Sequence, residues 1–249
     1  MKQTDAIILA VATKVNADLA EMAPNGRKSL ISLNGRPAVS YLIESLKLCG
    51  LVSKVIVVSD QPSFDVDPAA DVCIEAGGDL SDCVLAGIRA ASSQRCLIMN
   101  GDMPLASPQA LTDLLECAPD CDVVYPIAGR NDMTVMFPER RAFYVEAKEG
   151  GFTGSSCLLF DSRVALSREA MLTRLLAAKS NPKELLGLLG PALAMKLMLT
   201  KLSLDDFEQH LSRALDMTCR VFVTGYPEML VSIDTARDVP LMERELAAV

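Results

Sequence analysis

Residues Cys96 to Met99 are continuously apolar where a half-buried strand would alternate, so they predict a strand covered on both faces. Ala6 to Val11 and Val55 to Val58 read the same way, with a short strand at Val72 to Ile74 and another at Val123 to Ile127. Helical patterns lie between them. Pro37 suits the first turn of a helix whose Val39, Leu42, Ile43 and Leu46 share one face and which Gly50 ends. A second helix from about Asp79 to Ala91 turns Val84, Leu85 and Ile88 inward, and a third carries Leu111, Leu114 and Leu115. Strands separated by helices imply right-handed crossovers and a mostly parallel sheet with helices on both faces, a three-layer α/β fold.

After Ile127 the rhythm changes. Phe143 to Val145 and Cys157 to Phe160 predict strands flanking the glycine-rich stretch Gly150 to Ser156, and residues 166–215 are helical in pattern. Strands at Arg220 to Val223 and Met229 to Ile233 and a terminal helix close the chain. With no internal repeat or linker-like tract, the 249 residues predict a single domain over 1–249 with a helical insertion at about 163–217. Within it, the apolar run Leu185 to Leu202, broken by Gly190-Pro191, predicts either packing on the sheet domain or an apolar contact, as in a homodimer or a greasy acceptor pocket.

Composition excludes several classes. Half the residues are hydrophobic, too many for disorder, and the formal charge of −8 argues against a nucleic-acid binder. No apolar run predicts a transmembrane segment, and no leader pattern is evident, so the expected location is cytoplasmic. The eight cysteines show no CxxC and the single histidine, His210, makes zinc improbable; Cys73, Cys83, Cys96 and Cys157 read as small core residues.

Ligands of open α/β sheets bind where loops leave the C-terminal edge. At Asn100-Gly101-Asp102-Met103-Pro104 an apolar strand stops at one carboxylate, held between a glycine that permits a tight turn and a proline. Asp102 is placed to hold a divalent metal; a turn aspartate capping the helix that begins near Ser107 explains the same residue. Ser232-Ile233-Asp234-Thr235-Ala236-Arg237-Asp238 repeats the pattern, so Asp102 and Asp234 could share one magnesium, with an N-cap as the alternative for Asp234. The segment from Val11 to Arg36 is long for a connection and carries Lys14, Arg27, Lys28 and Arg36, cations that could receive a polyphosphate or merely face solvent. Glu75-Ala76-Gly77-Gly78 before Ser81 could present backbone to a planar base, or form a plain capped turn. Neither GxGxxG nor GxxxxGK[ST] is present, which disfavours a dinucleotide fold and a P-loop.

Together these segments resemble the MobA-like nucleotidyltransferase superfamily, which includes the molybdenum-cofactor guanylyl- and cytidylyltransferases and the methylerythritol-phosphate cytidylyltransferases. Asp5 to Ala10 is similar to the opening strand, Lys28-Ser29-Leu30 before Gly35-Arg36-Pro37 to the lysine-bearing segment, and Glu75 to Gly78 with Ser81 and Gly87 to the base-recognition loop. Gly101-Asp102-Met103-Pro104 resembles the metal-binding GDxP, and Ser232 to Asp238 the closing acidic segment. The resemblance implies a nucleotide-diphospho-sugar transferase-like fold and transfer of a nucleoside monophosphate from an NTP, CTP or GTP favoured, to a small phosphorylated or hydroxylated acceptor. It implies catalytic Lys28, Asp102 and Asp234, Mg2+ on Asp102 and Asp234, and nucleotide contacts from Leu9, Ala10, Val11, Ala12, Lys28, Gly77, Gly78, Ser81, Asn100 and Asp102.

Two segments depart from that pattern. Leu9-Ala10-Val11-Ala12-Thr13 stands where the family has LAGGxGxR, and Phe152 to Ser156 where it has TGGN. A left-handed backbone at Val11 would cost roughly 1–2 kcal/mol. The sequence thus leaves open an active enzyme with a rebuilt phosphate loop, an impaired nucleotide-binding or scaffold relative and, less favoured because Asn100 stands where a DxD would begin, a glycosyltransferase.

Overall fold

A computed structural model describes residues 3–60, 69–154, 156–178 and 202–248. The strands are β1 (Thr4–Leu9), β4 (Val52–Ser59), β5 (Val72–Glu75), β6 (Arg95–Asn100), β7 (Val123–Gly129), β8 (Val145–Ala147), β9 (Gly150–Gly154), β10 (Cys157–Asp161) and β11 (Cys219–Val223), with a two-residue hairpin of β2 (Ser32–Leu33) and β3 (Arg36–Pro37) apart from them. The helices are α1 (Ala38–Leu48), α2 (Leu80–Ala90), α3 (Pro108–Cys117), α4 (Arg130–Met136), α5 (Ser162–Ser167), α6 (Glu169–Ala178), α7 (Leu204–Leu215) and α8 (Asp238–Ala247).

Strands β5, β4, β1 and β6 run parallel, and β10 then enters antiparallel between β6 and β7. On one edge β7 pairs with β10 at its start and with β9 at its end; β11 lies parallel along the other. This is the mixed, mostly parallel sheet that the apolar runs predict. Alternate residues of β1 feed two cores, as the pleat requires. Ala6 and Ile8 pack with α1 and α3, whereas Ile7 and Leu9 pack with α2 and Ala165 of α5.

Three expectations are corrected. Met229–Ile233 is no strand: Pro227 opens a 3-10 turn through Leu230, and the apolar residues behind it plug the core as coil. The expected strand at Phe143 begins only at Val145, and its partner β9 occupies the glycines read as a loop. Cys73 is exposed, because β5 is the edge strand and turns alternate residues outward. The described helices of the insertion, α5, α6 and α7, gather Met171, Leu172 and Leu211 around Leu215, Met217 and Cys219. The expected contact surface at 185–202 lies outside the described residues except for Leu202, which is buried. No helix among the described residues is long and apolar enough to cross a membrane.

The cysteines supply a direct check. Burial pushes the Cys157 thiol up to about 12; burial and then the Asp5 charge do the same to Cys96. A thiol reagent at neutral pH is expected to label exposed Cys73 and Cys117 in the native protein and to reach Cys96 and Cys157 only on denaturation, read by peptide mapping.

Candidate active site

The parallel strands aim their C-terminal ends at one edge, and the two carboxylates singled out in the sequence meet there. Gly101 continues β6 by donating from its N to the Leu9 carbonyl at 2.9 Å, which brings the opening loop beside Asp102. Gly101 does not adopt a left-handed backbone; it is small because an added Cβ would lie 2.8 Å from the Ser29 Cβ. That close approach seats the Lys28–Leu30 turn directly against the end of β6. Asp234 is drawn in by the chain itself, since Ile233 N donates to the Asp102 carbonyl at 3.1 Å.

Lys28 sits between the two acids, with its Nζ 3.2 Å from Asp102 Oδ2 and 3.2 Å from Asp234 Oδ1. Asp102 is 5% exposed. Burial raises its pKa, and the Lys28 charge and hydrogen bond offset that only in part. For Lys28 burial disfavours the ammonium, but the facing carboxylates outweigh it and hold the pKa above the ordinary lysine value. Asp102 Oδ1 is buried and accepts no hydrogen bond, a donor that suits a hard cation. Asp234 is more exposed, and its oxygens are already engaged by Lys28, by Arg140 at 2.9 Å and by the Ser232 hydroxyl at 3.2 Å. Among the described residues no three His, Cys, Asp or Glu side chains converge, so an ion here would need substrate phosphates to complete its coordination.

Neither carboxylate caps a helix. Ser107 caps α3 through Ala110 N, and Asp238 receives the N–H groups of Asp234 and Thr235 at 2.9 and 2.7 Å. Asn16 donates to the Asp234 carbonyl at 2.9 Å, and Asp18 accepts from Ala236 N at 3.1 Å, tying the opening loop to the closing one.

Two cavities flank the Lys28 pair. The first, of about 160 Å³, is lined by Leu9, Val11, Thr13, Lys14, Lys28, Ser29, Leu80, Asn100, Gly101 and Asp102. The second, of about 290 Å³, lies on the Asp234 side and includes Ser232. Of the expected nucleotide contacts, Leu9, Val11, Lys28, Asn100 and Asp102 line the first cavity. Ala10 does not; it is fully buried as an extension of β1, its N on the Val58 carbonyl. Gly77, Gly78 and Ser81 do not line it either. Gly78 has φ +104°, and a Cβ there would meet Asp82, whose carboxylate completes the capping box with Asp79. Only Leu80 of this loop reaches the cavity.

The opening loop is built on buried residues of its own and differs from expectation in two ways, in its backbone and in its cations. It is ordered by Leu19, Ala23, Ile31 and Leu33, all buried. Val11 and Ala12 are not left-handed, so the strain considered above does not arise. The four cations do not converge. Arg27 is buried on Asp60 at 2.8 Å, Arg36 lies over Tyr41 and pairs with Glu44, and only Lys14 and Lys28 line the cavity. Two amides of this loop are committed within the protein: Ala12 N donates to Asp60 Oδ2 at 3.1 Å and Thr13 N to the Gly26 carbonyl at 3.0 Å.

Sequence reasoning missed Asp60 and Arg140. Asp60 ends an apolar strand, the same signal that marked Asp102, and was legible. Arg140 lies in an irregular stretch after α4, where no periodicity or motif marks it. Its guanidinium, 8% exposed, binds Asp234, Asp238 at 3.4 Å and the Ser232 carbonyl at 3.0 Å. His210 is half-buried in α7, its Nδ1 2.6 Å from the Asp206 carbonyl, and it lines neither cavity.

The family model for the MobA-like NTP transferase domain matches residues 22–182. A hypothetical transferase from Thermus thermophilus superposes with a TM-score of 0.85 at 29% identity, covering 95% of this chain and 99% of its own. A nucleotidyl transferase from Methanothermobacter thermautotroptrophicus shares the fold at 19% identity and TM-score 0.58, covering 98% of each chain. The 2-C-methyl-D-erythritol 4-phosphate cytidylyltransferase of Thermus thermophilus does so at 14% identity and TM-score 0.58, covering 99% of this chain and 100% of its own. No curated protein matches the chain.

Proposed function

This chain belongs to the MobA-like NTP transferase family, and from that premise we propose that it transfers a nucleoside monophosphate from an NTP, CTP or GTP favoured, to a small phosphorylated or hydroxylated acceptor. The acceptor oxygen attacks the α-phosphorus, the bond to the bridging oxygen breaks, and pyrophosphate leaves. The observation that carries this reading is Lys28, held between Asp102 and Asp234 at the mouth of the cavity beside the opening loop.

In this reading the nucleotide lies in the first cavity, where Lys14 and Lys28 meet its phosphates. Lys28 then stabilises the charge that develops as pyrophosphate departs. Asp102, through its free buried oxygen, and Asp234, once Lys28 turns to the phosphates, are the residues that would hold Mg2+. Bound there, the ion neutralises phosphate charge. An acceptor that is already a phosphate anion needs no general base. We assign the reaction to the cytoplasm and to a single domain over 1–249 with a helical insertion at about 163–217.

A second reading, a relative that binds nucleotide with impaired turnover, is favoured by one observation: the amides of Ala12 and Thr13 are occupied within the protein. Calorimetric titration of CTP, GTP, UTP and ATP, each with and without magnesium, tests the main reading. Magnesium-dependent binding of CTP or GTP is expected. Failure of all four to bind would overturn both readings.

A further inference from the structure

We propose that the second cavity is the acceptor site and that it selects an anion carried on an apolar body rather than on a polyol. The assignment of the cavity to the acceptor rests on the nucleotidyl-transfer reading; the chemistry of its ligand follows from its walls. Asp234, which lines this cavity, pairs with Lys28, and Ser232, which lines it too, donates to Asp234, so a molecule in it lies against the proposed reaction centre.

Two adjacent arginines divide the work. Arg140 is spent inward on Asp234, Asp238 and the Ser232 carbonyl. Arg141 is exposed at the cavity and makes no ion pair or hydrogen bond with any described residue, which leaves its planar fork for a phosphate or carboxylate. The Tyr125 hydroxyl also has no hydrogen-bond partner among the described residues, and burial raises its pKa, so it faces the cavity as a protonated donor. Gly154 is the residue that makes room for that hydroxyl, since a Cβ there would sit 2.2 Å from it.

The remaining wall is apolar. The chain has only seven phenylalanines and four tyrosines, yet Tyr125, Phe143 and Phe152 all line this one cavity, with Leu230. Phe143 is 84% exposed at its rim. Water gains nothing from that surface, and a polyol would leave it wet. An apolar body covering it gains roughly 25 cal/mol per Å² removed from water.

The test is calorimetric titration of 1-naphthyl phosphate into the full chain, against glycerol 3-phosphate and inorganic phosphate. Naphthyl phosphate is expected to bind about tenfold tighter than either, a difference of about 1.4 kcal/mol. Arg141→Met is expected to weaken it by about tenfold and Phe143→Ala several-fold, with magnesium–NTP affinity unchanged in both as the control for folding. Equal affinity for glycerol 3-phosphate or inorganic phosphate, or indifference to Arg141→Met, overturns the proposal. Should the wild type take naphthyl phosphate as described and yet bind no NTP, the nucleotidyl-transfer reading fails while the ligand chemistry of the cavity is upheld.

Discussion

Asp102→Asn is expected to weaken magnesium-dependent NTP binding by about 100-fold or more while leaving the folded protein at least as stable as the wild type. The two effects have one origin. Burial raises the pKa of Asp102 in the folded state, so the folded protein holds that proton more tightly than the unfolded chain does. Stability is therefore lost as pH rises from the ordinary carboxylate range through the folded value. Lys28 works the other way. Its folded pKa is raised, so its contribution is present at neutral pH and disappears only in alkali as pH passes the folded value. Asparagine removes the group whose ionisation burial opposes; Lys28 loses one of its two carboxylate partners and keeps its 3.2 Å contact with Asp234. Thermal unfolding at neutral pH should show a midpoint unchanged or a few degrees higher, at roughly 2–4 °C per kcal/mol for a chain of this size. A clear drop in the midpoint with nucleotide affinity retained would make Asp102 a structural residue.

Gly87→Ala should do the reverse, lowering stability with little direct effect on ligands. Gly87 resembles part of a base-recognition loop in the sequence, but it lies on α2 facing the sheet and lines neither cavity. A Cβ there would stand 2.5 Å from Ile7 Cγ2 and 3.1 Å from Val58 Cγ2. Both neighbours are wholly buried strand residues, so α2 must back away from the sheet. Overpacking of this kind costs about 1–3 kcal/mol, and the proximity favours the upper end, a fall of roughly 6–12 °C in the midpoint. An unchanged midpoint would mean that α2 can shift at no cost.

What was legible in the sequence is what one segment decides by itself. The apolar runs of β1, β4 and β6 are buried on both faces because helices pack on either side of the sheet, and the helix faces follow from spacing alone. Asp102 stood out as a lone carboxylate at the end of such a strand, and the structure decides against the competing capping turn because Ser107 caps α3 instead. Met229–Ile233 misled because core burial makes coil and strand equally apolar, and only Pro227 hinted at the difference. Arg140 was invisible for another reason. Its meaning lies in Asp234 and Asp238, almost a hundred residues away, and no local pattern records such a meeting.

The carboxylate of Asp60 holds the opening loop by Ala12 N and by the buried Arg27. It is a resident anion. The loop therefore keeps its shape between ligands, and any phosphate that claims Ala12 N does so by exchange with a rival already seated. On the nucleotidyl-transfer reading, the affinity measured for a nucleotide reports the difference between two anions for one set of donors, and neutralising the rival by Asp60→Asn changes that balance.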